Sequence, residues 1–457
     1  MKRKFTSLII LLVMSPLLLF SQQKVWTLEE CIGHALENNI QIKQQEITTQ
    51  YQASALELSK MSLLPTLNGS ASHNYSFGRA LDETTYEFTN NQTVQSNNFN
   101  AATGVTLFRG LVNYNTIRRN QYQLLASEQD LEGFKDDISL NIALAYLQIL
   151  LNSELVTATM SQVELTKQQI ERTQKLVDAG SLARGNLLDI EAQAAREELQ
   201  LVNLQNQLTM SYLTLAQMLE LPSVEDFAIS IPAITIDPVS VTGDPAGIFS
   251  IAEKSRPEIL GAEYRLKGAE YDLSIAKGGR SPRLSLGASI GTAYSDNRIN
   301  PLTLEPYSFR SQLNDNLNYG VGFSLNIPIF NGWQVNTNIS NSKLGIQNSK
   351  YTLEATKKQL YKNIQQAFTD ANGALKKYSA SKKAVESMEE AFRYAEQKLK
   401  EGMVTAVEYN QSKTQLLNAQ SEMAQAKYEY VFKTKVLDFY KGIPITLQHI
   451  NILANQF

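Results

Sequence analysis

The chain is written twice. Phe108-Arg109-Gly110 returns as Phe330-Asn331-Gly332, Ala179-Gly180 as Glu401-Gly402 and Leu221-Pro222 as Ile443-Pro444, each 222 residues later. Upstream, Pro65 returns as Pro282 and Ala35-Leu36 as Ala252-Glu253, 217 residues later. The five-residue difference falls between the proline and the Phe-x-Gly, where loops absorb it. Self-similarity of this kind means one supersecondary unit used again. Each copy has the same order. A short helical lead-in ends at Pro65 or Pro282, and a β-like region runs to Gly110 or Gly332. A very long helical stretch then reaches Gly180 or Gly402, and a second long helix ends at Pro222 or Pro444. The first repeat spans 22–221, with a β-hairpin over 66–108 and long helices over 111–220. The second spans 248–457, with a hairpin over 284–329, helices over 334–441 and a C-terminal tail. Between them, 222–247 carries Pro222, Pro232, Pro238 and Pro245 and reads as a linker with short extended pieces such as Ala228–Ile231.

The helices have the sharper period. Leu360, Ile364, Ala367, Ala371, Ala374, Tyr378, Ser381, Val385, Met388, Phe392, Ala395 and Leu399 follow an unbroken 4-3 spacing. Subtracting 222 gives Ile138, Ile142, Ala145, Ile149, Asn152, Val156, Thr159, Val163, Thr166, Ile170, Thr173 and Val177, the same stripe. Sustained 4-3 spacing is a coiled-coil seam. From Leu111 to Val177 one continuous helix would measure roughly 100 Å at 1.5 Å per residue. Gly180 and Gly402 stand where a C-cap and a tight reversal belong.

The β-like regions alternate. Leu317, Tyr319, Val321, Phe323, Leu325, Ile327 and Ile329 face one way, and Asn318, Gly320, Gly322, Ser324 and Asn326 the other. Leu284, Leu286, Ala288, Ile290 and Tyr294 repeat this against Ser285, Gly287, Ser289 and Gly291. In the first copy Phe99, Ala101, Val105 and Leu107 form one face, and Leu67, Ala71, Tyr75 and Phe77 another, interrupted by His73. Strands of about 10 residues have the length of membrane-spanning strands, and one apolar face suits a barrel in lipid. The polar connections 78–96 and 296–316 read as exposed loops. Four strands cannot enclose a pore, and an open edge in lipid leaves backbone groups unpaired. Strands in a membrane would therefore have to be shared among several chains. A soluble β-sandwich on a coiled coil is the alternative.

The N-terminus bears on that choice. Lys2, Arg3 and Lys4 precede an apolar run from Leu8 to Phe20, then Ser21. This is the pattern of a cleaved secretory signal, residues 1–21, and the run is too short to span a membrane as a helix. Cys31 is the single cysteine, so no internal disulfide framework exists. Between Glu30 and Ile32 it reads as a small helix residue rather than a lipidated one. The net charge of −3 gives no basic field for nucleic acid.

These pieces together resemble the TolC-like outer-membrane efflux proteins. The likeness rests on Trp26-Thr27-Leu28-Glu29-Glu30-Cys31-Ile32 leading to Ala35 and Asn38-Asn39, and on Leu64-Pro65, Phe108-Arg109-Gly110 and Ala179-Gly180. It continues through Arg256-Pro257-Glu258, Ser281-Pro282-Arg283-Leu284 and Ile329-Phe330-Asn331-Gly332, covering the chain beyond residue 21. The resemblance implies an α+β membrane protein that assembles as a homotrimer in the outer-membrane lipid. Two β-hairpins per chain would contribute four strands to a shared transmembrane β-barrel. Coiled-coil helical hairpins would continue it as a periplasmic α-barrel. It further implies a passive export channel with no cofactor and no enzymatic activity. The helical tips, Gly180 with Ser181 and Gly402 with Met403, would meet a periplasmic adaptor linked to an inner-membrane efflux pump or ABC exporter, as in type I secretion. Family members carry an acidic residue six positions after the second-half glycine, sometimes with another three later. Glu408 matches the first and Gln411 stands at the second, while Asn186 and Asp189 take these places in the first half. Three copies of one carboxylate around an axis make a cation-selecting ring, and contacts of Arg184 would hold the tip shut. A solvated helix carboxylate is the other reading of Glu408. A non-conducting periplasmic coiled-coil protein is the other reading of the whole.

Catalytic patterns lack their context. Gly287-Ala288-Ser289-Ile290-Gly291 matches a nucleophile elbow but lies inside an alternating strand. His34, His73 and His449 are isolated, and no phosphate-binding loop is present. The lysines between Lys343 and Lys400 interleave with glutamates, as on a solvated helix face.

Overall fold

A computed structural model describes residues 25–81, 87–225, 227–232, 234, 236, 244–300, 302–303 and 305–447. The apolar leader, His449 and the end of the tail lie outside these. Each copy opens with two short helices. In the first, α1 (Leu28–Asn38) starts at a capping box in which Thr27 and Glu30 each satisfy the other's backbone N–H, and α2 (Ile40–Met61) is capped by the Asn39 side chain. In the second, α5 (Pro245–Ser255) and α6 (Pro257–Gly278) begin with prolines, whose fixed φ suits a first helical turn. Each short helix has the length of its counterpart.

The long helices match the seam. α3 (Val112–Asp178) and α8 (Gln334–Lys400) have 67 residues each, and α4 (Arg184–Met218) and α9 (Ala406–Tyr440) have 35 each. All four start and stop 222 residues apart in pairs, and every seam position is buried or half-buried. Both long helices end in the same motif. Gly180 N–H donates to Val177 O and Ser181 N–H to Leu176 O, and Gly402 and Met403 do the same with Leu399 and Lys398. The glycines sit at φ 73° and 71°, which an L side chain resists. One 18-residue window of α3 reaches a mean hydropathy of 1.3, apolar enough to cross a membrane, but half of it is buried against the other helices.

The core sits where the short helices clasp the long ones. Leu28, Cys31 and Ala35 of α1 pack on Ile142, Tyr146 and Ile149 of α3, on Leu215 and Leu219, and on Val431 of α9. The Tyr146 hydroxyl donates to Ser230 O at 2.5 Å. A two-stranded parallel sheet pairs β1 (Val25–Trp26) with β4 (Ala228–Ile229), tying the chain start to the segment between the copies. A second cluster joins Ile248 and Ile259 to Leu360, Ile364 and Leu437.

The remaining strands form one antiparallel sheet in the order β2-β3-β5-β6: β2 (Thr66–Leu81), β3 (Phe88–Phe108), β5 (Arg283–Ser295) and β6 (Asn318–Asn326). Three expectations need correction here. Residues 78–96 are largely strand: β2 and β3 pair from Thr66↔Gly104 out to Leu81↔Phe88. The run Thr89-Asn90-Asn91-Gln92-Thr93 is polar throughout, so no apolar alternation distinguishes strand from loop there. The segment 296–316 contains a helix, α7 (Phe309–Asp315), started by the Ser308 side chain accepting from Ser311 N–H. Finally, β6 stops at Asn326 rather than Ile329, two residues before Pro328, which has no N–H to donate.

Candidate membrane face and helical tips

The register sorts the sheet into two faces. Leu284 pairs with Leu325, Leu286 with Phe323, Ala288 with Val321 and Ile290 with Tyr319. Side chains opposite one another share a face, so this face is a continuous apolar band. It is open: Tyr319 is 83% exposed, Val321 75% and Phe323 71%. The other face carries Asn68, Ser70, Asn100, Ser289 and Gly320 in register, with Arg283 beside Asn326 as its charged member near the helices. Within this one chain β2 and β6 are edge strands. Ser289, the serine of the elbow-like pattern, lies inside β5, with strand continuing on both sides of it rather than a strand-to-helix turn.

Above the band, α7 closes the edge that β6 leaves. The Gln312 amide accepts from Ser295 N–H at 3.0 Å and donates to Ser295 O at 2.7 Å, as a neighbouring strand would. Asn316 donates to Ala293 O. Buried backbone groups need such partners.

At the tips, Glu408 is the third residue of α9 and the carboxylate half of a capping box. It accepts from Thr405 N–H at 2.8 Å, and the Thr405 hydroxyl accepts from Glu408 N–H at 3.2 Å. The bond from Thr405 N–H, together with one from the Thr405 hydroxyl to the carboxylate, holds its pKa below the ordinary value. The first tip has no such device, because Ala183 at the cap of α4 has no side-chain acceptor. Ser181, Arg184, Asp189, Met403 and Gln411 are exposed and Asn186 is half-buried. Among the described residues, Arg184 forms no ion pair with Glu408 or Asp189 in the protomer.

Away from the tips lies a group that the sequence reading missed. Lys413 of α9 enters the α3–α4 hairpin, with its side chain 4% exposed and Glu197 7% exposed at 3.7 Å. The ammonium donates to Gln162 O at 3.3 Å and to the Thr166 hydroxyl. Glu197 accepts from Thr166, from Gln162 at 3.3 Å and from Gln193 at 3.0 Å. Burial pushes the Lys413 ammonium below its ordinary pKa, against the opposing pull of Glu197. The sequence did hold a sign of it, since Lys413 falls on the 4-3 spacing of Leu417, Ala424 and Val431. Arg256, of the Arg-Pro-Glu motif, joins α6 to α3 through Asp136 at 3.1 Å and stacks over the Phe439 ring at 4.0 Å.

The open sheet with its bare apolar face is thus continuous with two 67-residue helices. A family model described as "Outer membrane efflux protein" matches residues 31–220 and 248–439, and the chain belongs to that family. It is 26% identical over 308 residues to the outer membrane protein TolC of Escherichia coli, covering 64% of this chain and 58% of TolC. It is 21% identical over 418 residues to the alkaline protease secretion protein AprF of Pseudomonas aeruginosa, covering 90% of this chain and 83% of AprF. Among solved structures, CusC superposes with a TM-score of 0.76 at 18% identity over 92% of both chains. VceC of Vibrio cholerae does so with 0.70 at 17% identity, over 91% of this chain and 94% of VceC.

Proposed function

We propose that three copies of this chain close one twelve-stranded barrel in the outer membrane and one helical tunnel below it, forming a passive export duct. The observation that carries this reading is the open four-stranded sheet with a bare apolar face. In lipid its β2 and β6 edges need partners, and pairing β6 of one copy with β2 of the next supplies them. The nine residues of β6 and thirteen of β5 suit a spanning length of about 9–11 tilted residues. The polar face, nearly free of charge, then lines the lumen. No catalysis is assigned. The energy for transport comes from an inner-membrane pump or ABC exporter, through a periplasmic adaptor that meets Gly180, Ser181, Gly402 and Met403.

Glu408 has two roles to separate, helix cap and charge ring. Glu408→Gln keeps a capping partner and removes the charge, whereas Glu408→Ala removes both. Single-channel recording in planar bilayers distinguishes them. A ring predicts weaker cation selectivity in both variants, and a cap alone predicts a change only in the alanine variant. Absence of any conductance from the trimeric wild type would favour a non-conducting coiled-coil protein.

A further inference from the structure

All four places where the sheet joins the helices lie along one edge of the sheet. Thr66 pairs with Gly104, Phe108 with Leu284, and Arg283 with Asn326. The charges along this edge are all of one sign. The stretches 58–67, 106–117, 273–285 and 325–342 contain Lys60, Arg109, Lys277, Arg280 and Arg283 and no aspartate or glutamate. Arg283 belongs to the polar face. Lys60, Arg109, Lys277 and Arg280 are exposed, and none is in an ion pair among the described residues. Among the described residues the Arg280 side chain donates to Asn336 Oδ1, at 2.7 Å. The opposite edge is mixed, with Arg79, Arg298 and Arg310 beside Glu87, Asp296, Glu305 and Asp315.

Bare apolar side chains share the cationic edge: Leu64, Phe108, Leu111, Phe330 and Trp333. Two of them are held there against backbone preference. Leu111 (φ 61°) and Trp333 (φ 68°) follow Gly110 and Gly332 into the left-handed region at the starts of α3 and α8. Consecutive left-handed residues are rare for L-amino acids, and this pair recurs in both copies. Gly110 also packs so closely on Ser281 that a Cβ there would clash with its hydroxyl. The collar is thus a built surface that joins unpaired cations to outward-turned apolar groups.

We propose that this collar binds the headgroups of anionic phospholipids in the periplasm-facing leaflet. Lys60, Arg109, Lys277 and Arg280 contact phosphate, and Leu111, Phe330 and Trp333 rest at the acyl boundary, where tryptophan is favoured. The inference rests on the reading that the sheet lies in the outer membrane. Each basic residue near an anionic surface is worth about a fivefold preference.

The chain has two tryptophans. Trp26 is half-buried and packs against the core cluster at the start of the chain, so Trp333 reports on the collar. The full chain is reconstituted in vesicles of phosphatidylcholine with phosphatidylglycerol, with bromine on the acyl chains of one lipid at a time. Trp26→Phe serves as a second reporter background. Brominated phosphatidylglycerol is expected to quench Trp333 at several-fold lower mole fraction than brominated phosphatidylcholine. Changing Lys60, Arg109, Lys277 and Arg280 to Gln should erase that preference while leaving quenching by phosphatidylcholine, and Arg→Lys changes should retain it. Equal quenching by both lipids in the wild type, or a preference that survives the Gln variant, overturns the proposal and leaves the membrane reading intact. No quenching by either lipid would sink both.

Discussion

The α3–α4 and α8–α9 hairpins have equal element lengths and different surroundings. Eighteen residues of α3 are buried within the protomer but only seven of α8. α3 lies against α1, α2, α4, α6 and α9, whereas α8 lies against α5, α6 and α9. The seams are equally regular in sequence, so the difference lies in how many partners each helix meets. Their polar interiors differ too. Asn152, Thr159, Thr166 and Thr173 occupy α3 seam positions that α8 fills with Ala374, Ser381, Met388 and Ala395. Lys413 reaches into this polar interior from the other copy. Its own counterpart by the 222-residue offset is Glu191, and that of Glu197 is Ala419, so the link runs one way only.

That asymmetry can be broken at several points. Lys413→Ala leaves Glu197 charged and buried without its cation, and should lower stability by about 3–5 kcal/mol in denaturant melts. Replacing both partners, with Lys413→Met and Glu197→Leu, should restore most of it. Glu191→Ala, at the exposed counterpart position, should change stability by less than about 0.5 kcal/mol. Equal losses at 413 and 191 would end the claim that the two hairpins are locked in one direction.

The tips offer a smaller contrast. Thr405→Ala should destabilise the first turn of α9 by about 1 kcal/mol. Ala183→Thr with Asn186→Glu should transplant the cap and slow amide exchange at the start of α4 by a similar factor. At the far ends of these hairpins Gly442 holds a left-handed turn at φ 78°, and its counterpart Glu220 does so at φ 56°. Glu220→Gly should therefore stabilise by about 0.5–1 kcal/mol, while Gly442→Ala should destabilise. The smallest effect is pH-dependent. The Glu408 carboxyl titrates below its ordinary value of 4.5, so the folded state binds fewer protons than the unfolded one as pH falls past that value. The cap is intact above it and is lost as pH drops through the lower folded pKa. Amide exchange at Thr405 and Glu408 should rise in that window, with no matching change at Ala183 and Asn186.

How much of this was legible depended on whether a feature had a period. The 67-residue helices were readable to within a residue, because the 4-3 stripe and Gly180 and Gly402 fix both course and end. The strand from Asn318 to Asn326 was readable because one face is bare and apolar. Residues 88–95 were not, since the run from Thr89 to Thr93 is polar at every position and carries no apolar alternation. α7 was hidden in a polar segment whose helix answers to the edge of β5. Glu408 was read for its charge, although Thr405-Ala406-Val407-Glu408 spells a capping box outright. The Lys413–Glu197 pair joins residues more than two hundred apart, and a single sequence gives such a contact no spacing. Only a lysine on an apolar stripe hinted at it.

The matched lengths of the helices limit how a protein of this design can change in size. One residue added to α3 would rotate everything beyond it by 100° and lift it about 1.5 Å, turning the seam away from α4. Only an added heptad restores the facing, and it must be mirrored in α4 and again in α8 and α9 so that both tips end level. The molecule is a graduated rod, able to grow or shrink in steps of about 10 Å and only when four separate stretches of gene are edited in concert. A compartment whose width drifted would find such a rod slow to follow.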